Sequence, residues 1–323
     1  VSDKTLAELG ESESLRRTIG RLVSSDAVLV GPGDDSAVVS LSENRFVVTT
    51  DSMIEDHDFR LDWSSGFDLG FKAVATNVAD LAAMGAKPIA LVVSLAVSKD
   101  TKISWLEAFA DGLSQALVEL APTASVVGGD LASSDKAFIA VTAHGDLESK
   151  APVLRSGAKP GDLVAVGGTL GKAAAGLALL RSGGSAKEAF DDLVSFQLRP
   201  RPPIELGPVA AESGATAMLD ISDSLVKDAS RIAEQSQVCI SINSSDLIGF
   251  AAVLEQAALR LNAQAMDWVL FGGEDHGLLA TFPNTNQVPK GFKVIGTVKP
   301  KNQDLVQLDG SAIEARGWDS ITG

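Results

Sequence analysis

Five apolar runs in this chain each close on a carboxylate within a few residues, and that pairing limits its fold more than any other feature. The runs read VLVGPGDD, VVTTD, SVVGGD, TAMLD and VLFGGED, and they bring Asp34, Asp35, Asp51, Asp130, Asp220 and Glu274 to the edges of core segments. Apolar, β-branched stretches bounded by turn residues read as strands. Surface acids placed at random do not favour the ends of such stretches. In α/β sheets, ligands bind in the crevice beyond the carboxyl ends of the strands, so these acids are expected where a site forms. Asp80 joins them from ATNVADLAAMG, a charge among small apolar helix residues with Thr76 and Asn77 on the same face.

An acid group of this size needs positive charge nearby. The 323-residue chain carries a formal net charge of −15, and few basic residues lie close to the acids in sequence. A hard divalent cation is therefore expected, and Mg²⁺ prefers carboxylates, water and phosphate oxygens. In MLDISDSLVKDASRIA, Ser222 is the expected N-cap of a helix whose apolar face is Leu225, Val226, Ala229, Ile232 and Ala233. Asp223 favours the positive helix end. Asp220 ends the strand before it, and the two acids can share a metal across the turn.

Strands are expected at 45–51, 88–97, 124–130 and 136–147, with helices at 68–85 and 104–120, the first ending at Gly85. The length suits two domains or one large α/β unit, and RSGAKPGDLVAVGG (155–168) marks a composition change near residue 150. An N-terminal domain over 1–150 and a C-terminal one over 151–323 are expected, of α/β or α+β class. The second half repeats the strand and helix theme, with RPRPPIELGP (199–208) as a rigid connector. An echo of Gly-Gly-acid at 128–130 and 272–274 records either two related halves or two similar turns.

Several chemistries are excluded. The acidic balance argues against nucleic-acid and anionic-membrane binding, which need Lys and Arg clusters. The single cysteine, Cys239, excludes an intrachain disulfide, and VSDKTLAELGESESLRR lacks the order of a secretory signal, so a reducing cytoplasm is expected. LVAVGGTLGKAAAGLALL fails both nucleotide-loop spacings because Val166 stands where a glycine belongs and Ala173 replaces the hydroxyl. A tight turn at Gly171 is its expected role. His57, His144 and His276 lie far apart without zinc spacing, no G-x-S-x-G exists, and tyrosine is absent.

Taken in order, GPGDD, VVTTDSM, LGFKAVATNVADLAAMGAKP, VVGGD, LRSGAKPGD, LDISDSL, GGEDHGLL and a terminal GW resemble the thiamine-monophosphate kinase family, within the aminoimidazole-ribonucleotide-synthetase-like superfamily. The resemblance covers nearly the whole chain. It implies an N-terminal α/β domain whose strands form a barrel across a homodimer, then a second α/β domain. It also implies transfer of the ATP γ-phosphoryl group to thiamine monophosphate, giving thiamine diphosphate, with several Mg²⁺ ions. By position, Asp35, Thr50, Asp51, Asp80, Asp130, Asp220 and Asp223 look like metal ligands, with Asp34 a lesser candidate. Thr49, Gly129, Asp130, Arg155 and Ser222 resemble ATP contacts, and Asp58, Glu274 and Trp318 resemble substrate contacts. Asp220, Asp223 and Arg155 are the implied catalytic group. Phosphoryl transfer needs positioning and charge neutralisation more than a nucleophile, so such a set suffices.

This chain departs from the family pattern at Ser224, where glycine is usual, and at His276 and Gly277, where the family reads GGEDYEL. The family's substrate histidine aligns with Asp58, with His57 one residue displaced; in an extended segment the two would face opposite ways. Two other readings stand beside the kinase: another ATP-dependent member of the superfamily, and a catalytically silent nucleotide-binding scaffold.

Overall fold

Alternating β-branched and small residues between Phe46 and Asp146 build a four-stranded sheet covered by two helices. The computed structural model describes residues 3–9, 17–26, 28–30, 38–41, 46–183, 188–283 and 285–318. The chain divides into two compact units, Val1–Leu81 with Ala86–Ser149, and Ala82–Gly85 with Lys150–Gly323. It is a mixed α/β fold.

The first unit opens with α1 (Leu6–Leu9) and the short pair β1 (Val28–Val30) and β2 (Val38–Val39). Its sheet contains β3 (Phe46–Ile54), β4 (Lys87–Val97), β5 (Ser125–Ser133) and β6 (Phe138–Asp146), in the order β3-β6-β4-β5. Two helices complete it, α2 (Gly66–Ala83) and α3 (Ile103–Leu120). The strands β4 and β5 run parallel, joined by α3 as crossover, and the other pairs are antiparallel. Gly85 has φ 77°, the left-handed stop expected after α2. The sheet is not closed. Phe46, Val48 and Ile54 on β3 are 52%, 56% and 41% exposed, so one face of this edge strand leaves large apolar groups in solvent.

The second unit holds a seven-stranded sheet, β13-β12-β9-β11-β7-β10-β8. Its strands are β7 (Leu163–Gly167), β8 (Ala217–Ile221), β9 (Val238–Ile242), β10 (Gly277–Phe282), β11 (Phe292–Pro300), β12 (Val306–Leu308) and β13 (Ser311–Ala312). Around it lie α4 (Lys172–Ser182), α5 (Asp191–Leu198), α6 (Leu206–Glu212), α7 (Leu225–Ser236), α8 (Ser244–Ala252), α9 (Glu255–Leu261) and α10 (Ala265–Phe271). Only the β12–β9 pair is parallel. The strand-end rule for parallel sheets therefore does not locate a site here. All of β8 and β10 is buried, which fits their unbroken apolar runs.

Three expectations are corrected. Asp51 and Asp130 lie inside β3 and β5 rather than at their ends. The run VLF before GGED is the close of α10, not a strand. Gly128-Gly129-Asp130 sits within a strand and Gly272-Gly273-Glu274 in the connection from α10 to β10, so the echo does not mark related halves.

Candidate active site

In the first unit, β3 and α2 meet through polar groups. Thr49 Oγ1 donates to Asp80 Oδ2 at 2.7 Å, and the Asp51 amide donates to Asn77 Oδ1 at 3.1 Å. Asn77 is 1% exposed and also donates from Nδ2 to the Ala73 carbonyl at 2.9 Å, which locks its amide. The Asn77–Asp80 face of α2 thus holds Thr49 and Asp51 in place. Thr50 points the other way, with Oγ1 donating to the Val141 carbonyl at 2.9 Å.

Asp130 is exposed on the edge strand β5, in the cross-strand row of Ser94, Ala140 and Ser52. Three strand spacings, about 14 Å, separate that edge from β3. The sheet does not bring Asp130 to Asp51. Its neighbour Gly129 is required by contact: a Cβ there would lie 2.2 Å from the Val93 carbonyl oxygen.

In the second unit the segment after β8 is built around buried charge. Asp228, fully buried, accepts from the amides of Asp223 (3.0 Å) and Ser224 (3.1 Å) and pairs with Arg231. Burial, followed by the nearby charge of Asp220, still pushes its carboxyl up to about 6. Arg231 also reaches Asp223 Oδ2, and Lys227 Nζ lies 3.1 Å from the same oxygen. The shortage of nearby cations inferred from sequence is corrected: Lys227 and Arg231, one and two turns along α7, supply them. Asp220 pairs instead with His276, Nδ1 donating to Oδ2 at 3.0 Å. The two acids thus have different protein partners.

The helix cap is corrected as well. Ser224, not Ser222, caps α7, accepting from the Lys227 amide at 3.0 Å and donating to the Arg316 carbonyl at 2.7 Å. Its φ of 168° is extended backbone that any residue adopts, so the departure from glycine adds a cap without strain. The five residues predicted for the apolar face of α7 are all buried.

Two distant motifs converge on this turn. The Glu274 amide donates to the Ser222 carbonyl at 2.8 Å, and the Trp318 amide donates to the Asp223 carbonyl at 3.1 Å. Lys227 Nζ also donates to the Trp318 carbonyl, and the Arg316 guanidinium lies 4.1 Å above the Phe271 ring. A Cβ at Gly273 would lie 2.4 Å from the Ser222 carbonyl oxygen, and one at Gly317 2.6 Å from that of Asp223. Those glycines let three segments, spread over nearly a hundred residues of sequence, approach at backbone distance.

Glu274 accepts from Gln197 Nε2 at 2.7 Å. The buried Asp275 accepts from Thr169 Oγ1 at 2.8 Å and from the Lys172 and Ala173 amides at 3.2 and 3.3 Å, capping α4. Burial raises its carboxyl above the ordinary range against those bonds. Sequence reading missed Gln197, Lys227, Asp228, Arg231 and Asp275. The i+4 and i+8 spacing of Lys227 and Arg231 from Asp223 carried a signal; Gln197 and Asp275 gave none.

Arg155 is exposed, and its carbonyl accepts from Ser236 Oγ at 2.7 Å, at the C-terminal end of α7. Asp223 precedes the other end of that 12-residue helix, about 18 Å along its axis. His57 and Asp58 occupy a tight turn with Asp56 at φ 68°, so the alternation of an extended segment does not apply. The two pair with each other, His57 Nδ1 to Asp58 Oδ1, at 3.0 Å. Asp34 and Asp35 lie outside the described residues.

Among the described residues, no group of three or more His, Cys, Asp or Glu side chains is arranged to hold a metal ion. The donors that the first unit gathers, Asp51, Asp80 and Thr49, are hard oxygens. They fit Mg²⁺, which binds through one or two carboxylates and takes its other ligands from phosphates and water.

Residues 33–147 match the family described as AIR synthase related protein, N-terminal domain, and that match defines the class to which the first unit belongs. The chain is 42% identical to the thiamine-monophosphate kinase of Mycobacterium tuberculosis (strain ATCC 25618 / H37Rv), across 99% of its own length and 92% of the relative's. It resembles the crystal structure of thiamine monophosphate kinase from Aquifex aeolicus with a TM-score of 0.76 at 33% identity, covering 83% of this chain and 89% of that one. It also resembles AaThiL complexed with AMPPCP and TMP, with a TM-score of 0.77 at 32% identity over 98% and 99% of the two chains. The chain belongs to the thiamine-monophosphate kinase family.

Proposed function

We propose that this chain transfers the γ-phosphoryl group of ATP to thiamine monophosphate, giving thiamine diphosphate and ADP, in an Mg²⁺-dependent reaction. The observation that carries the reading is the 42% identity to a thiamine-monophosphate kinase along nearly all of both chains. The likeness to a relative that holds an ATP analogue together with TMP supports both substrates. No helix among the described residues is long and apolar enough to cross a membrane, and a cytoplasmic location accords with that.

In the first unit, Asp51 and Asp80, with Thr49 beside them, would hold the metal that binds the phosphates, and Thr50, on the opposite face of β3, takes no direct part. Asp35 and Asp130 complete the ligand set in this reading. Mg²⁺, when bound, neutralises the developing charge on the phosphoryl oxygens. Gly129 presents bare backbone to the nucleotide. In the second unit Asp220 and Asp223 are ligands, and Ser222 and Arg155 contact ATP. Asp223 would hold the metal, and Lys227 and Arg231, which it now pairs with, supply positive charge beside it. Glu274, a carboxylate held by Gln197, suits the cationic thiamine ring, and the Trp318 indole offers it a flat face. Asp58 is the third substrate contact in this assignment.

The first unit serves as the ATP, metal and dimerisation domain, and a second copy of the chain covers the apolar face of β3 to form a barrel across a homodimer. The exposure of Phe46, Val48 and Ile54 supports that arrangement.

Substitution tests the metal assignment. Asp80→Asn keeps the Thr49 hydrogen bond but removes a ligand charge, and turnover with ATP, Mg²⁺ and thiamine monophosphate is expected to fall at least about 100-fold with the melting temperature preserved. Unchanged turnover would remove Asp80 from the reaction.

A further inference from the structure

Residues 274–276 link α10 to β10, and the proposed function uses only the first of them. Glu274 has φ 65° and His276 φ 50°. Left-handed backbone costs a residue with a side chain about 1–2 kcal/mol, so this connection holds its shape only if its surroundings fix it. Asp275 supplies that anchor. It is 2% exposed and takes the Thr169 hydroxyl and the first-turn amides of Lys172 and Ala173. Backbone bonds from Glu274 to the Ser222 carbonyl and from His276 to the Ile221 carbonyl, 2.8 and 3.0 Å, fasten the other side to the end of β8. Gly277 then leaves no room for drift: a Cβ there would lie 2.8 Å from the Gly167 carbonyl oxygen.

The side chains on either side of the anchor are equally constrained. Glu274 meets Gln197, and His276, 5% exposed, donates from Nδ1 to Asp220 Oδ2 at 3.0 Å. We propose that Glu274, Asp275 and His276 act as one positioning device, in which Asp275 pins the turn to the start of α4 and His276 is a positioning residue that fixes the rotation of the Asp220 carboxylate. This rests on the reading of Asp220 as a ligand of the metal that binds the phosphates. The turn places the thiamine-facing carboxylate and the metal-facing one in a fixed relation, because both hang from the same three residues.

Asparagine at position 276 preserves both requirements, since its amide lies where Nδ1 lies and it tolerates left-handed backbone. Phenylalanine keeps a ring and loses the donor. The test is Mn²⁺ binding to the full chain, titrated by electron paramagnetic resonance, beside steady-state kinetics and melting curves. His276→Phe is expected to weaken Mn²⁺ binding about tenfold and lower kcat to a similar degree, the loss of one charge-assisted hydrogen bond. His276→Asn should recover both to within about threefold on the same scale. Asp275→Asn should raise KM for thiamine monophosphate and weaken Mn²⁺ binding, each about tenfold. Equal Mn²⁺ affinity in His276→Phe and the unaltered chain, or His276→Asn as impaired as His276→Phe, would overturn the role of His276. A folded Asp275→Asn with normal KM for thiamine monophosphate would overturn that of the anchor. Should the unaltered chain make no thiamine diphosphate yet show the Phe and Asn contrast in Mn²⁺ binding, the positioning role stands and the kinase reading falls.

Discussion

Asp228 shows how far burial outweighs good partners. Two backbone amides and Arg231 favour its charged form, yet its carboxyl is pushed up to about 6. A carboxyl with a raised folded pKa disfavours the fold when ionised. That penalty is absent below the unfolded value near 3.8, grows as pH rises, and is complete above about 6. The shift corresponds to roughly 3 kcal/mol. Asp228→Asn removes it, so the stability of the unaltered chain relative to this variant is expected to fall by an amount of that order between pH 4 and 7, read from urea midpoints. Parallel pH curves would show that Asp228 titrates normally. At this scale the sequence revealed where acids sit and not what holds them. The partners of Asp223 lie at helical spacing and were legible in principle, whereas His276 meets Asp220 only because β10 pairs with β8.

Helices α2 and α3 of the first unit cross at backbone distance. A Cβ on Gly66 would lie 2.3 Å from the Trp105 carbonyl oxygen, one on Gly70 2.1 Å from that of Phe109, and one on Gly112 2.1 Å from that of Phe67. Alanine at position 70 would gain about 1 kcal/mol in helix propensity. Overpacking against a helix backbone costs about 1–3 kcal/mol or more, and here no side chain can swing aside. Gly70→Ala is expected to lower stability by about 2 kcal/mol net, and turnover with it, because α2 carries Asn77 and Asp80. A melting temperature at or above the unaltered value would contradict this crossing. Long periodic segments such as α2, α3 and α7 were legible to within a few residues. The strand β5 ran past its predicted end because Gly-Gly normally reads as a turn, and VLF proved helical because a short apolar run has no period to read.

For the whole molecule, the sequence pattern anticipated the family and the two-substrate chemistry, and the comparisons with known kinases support both. Within the first unit Thr49 and Asp80 meet beside Asp51, and within the second Asp220 is partnered by His276 while Lys227 and Arg231 partner Asp223 and Arg231 also pairs with Asp228. Sequence could not assign these partners, since sorting acids by partner requires the strand register and the turn geometry. The central claim is direct phosphoryl transfer between two phosphate-bearing substrates. It is tested by giving the purified chain ATP labelled at its γ-phosphorus with thiamine monophosphate and Mg²⁺. The account predicts one labelled thiamine diphosphate, labelled only in its terminal phosphate, for each ADP formed, and none with a chelator present. Label released as inorganic phosphate, with thiamine monophosphate recovered unchanged, would contradict it.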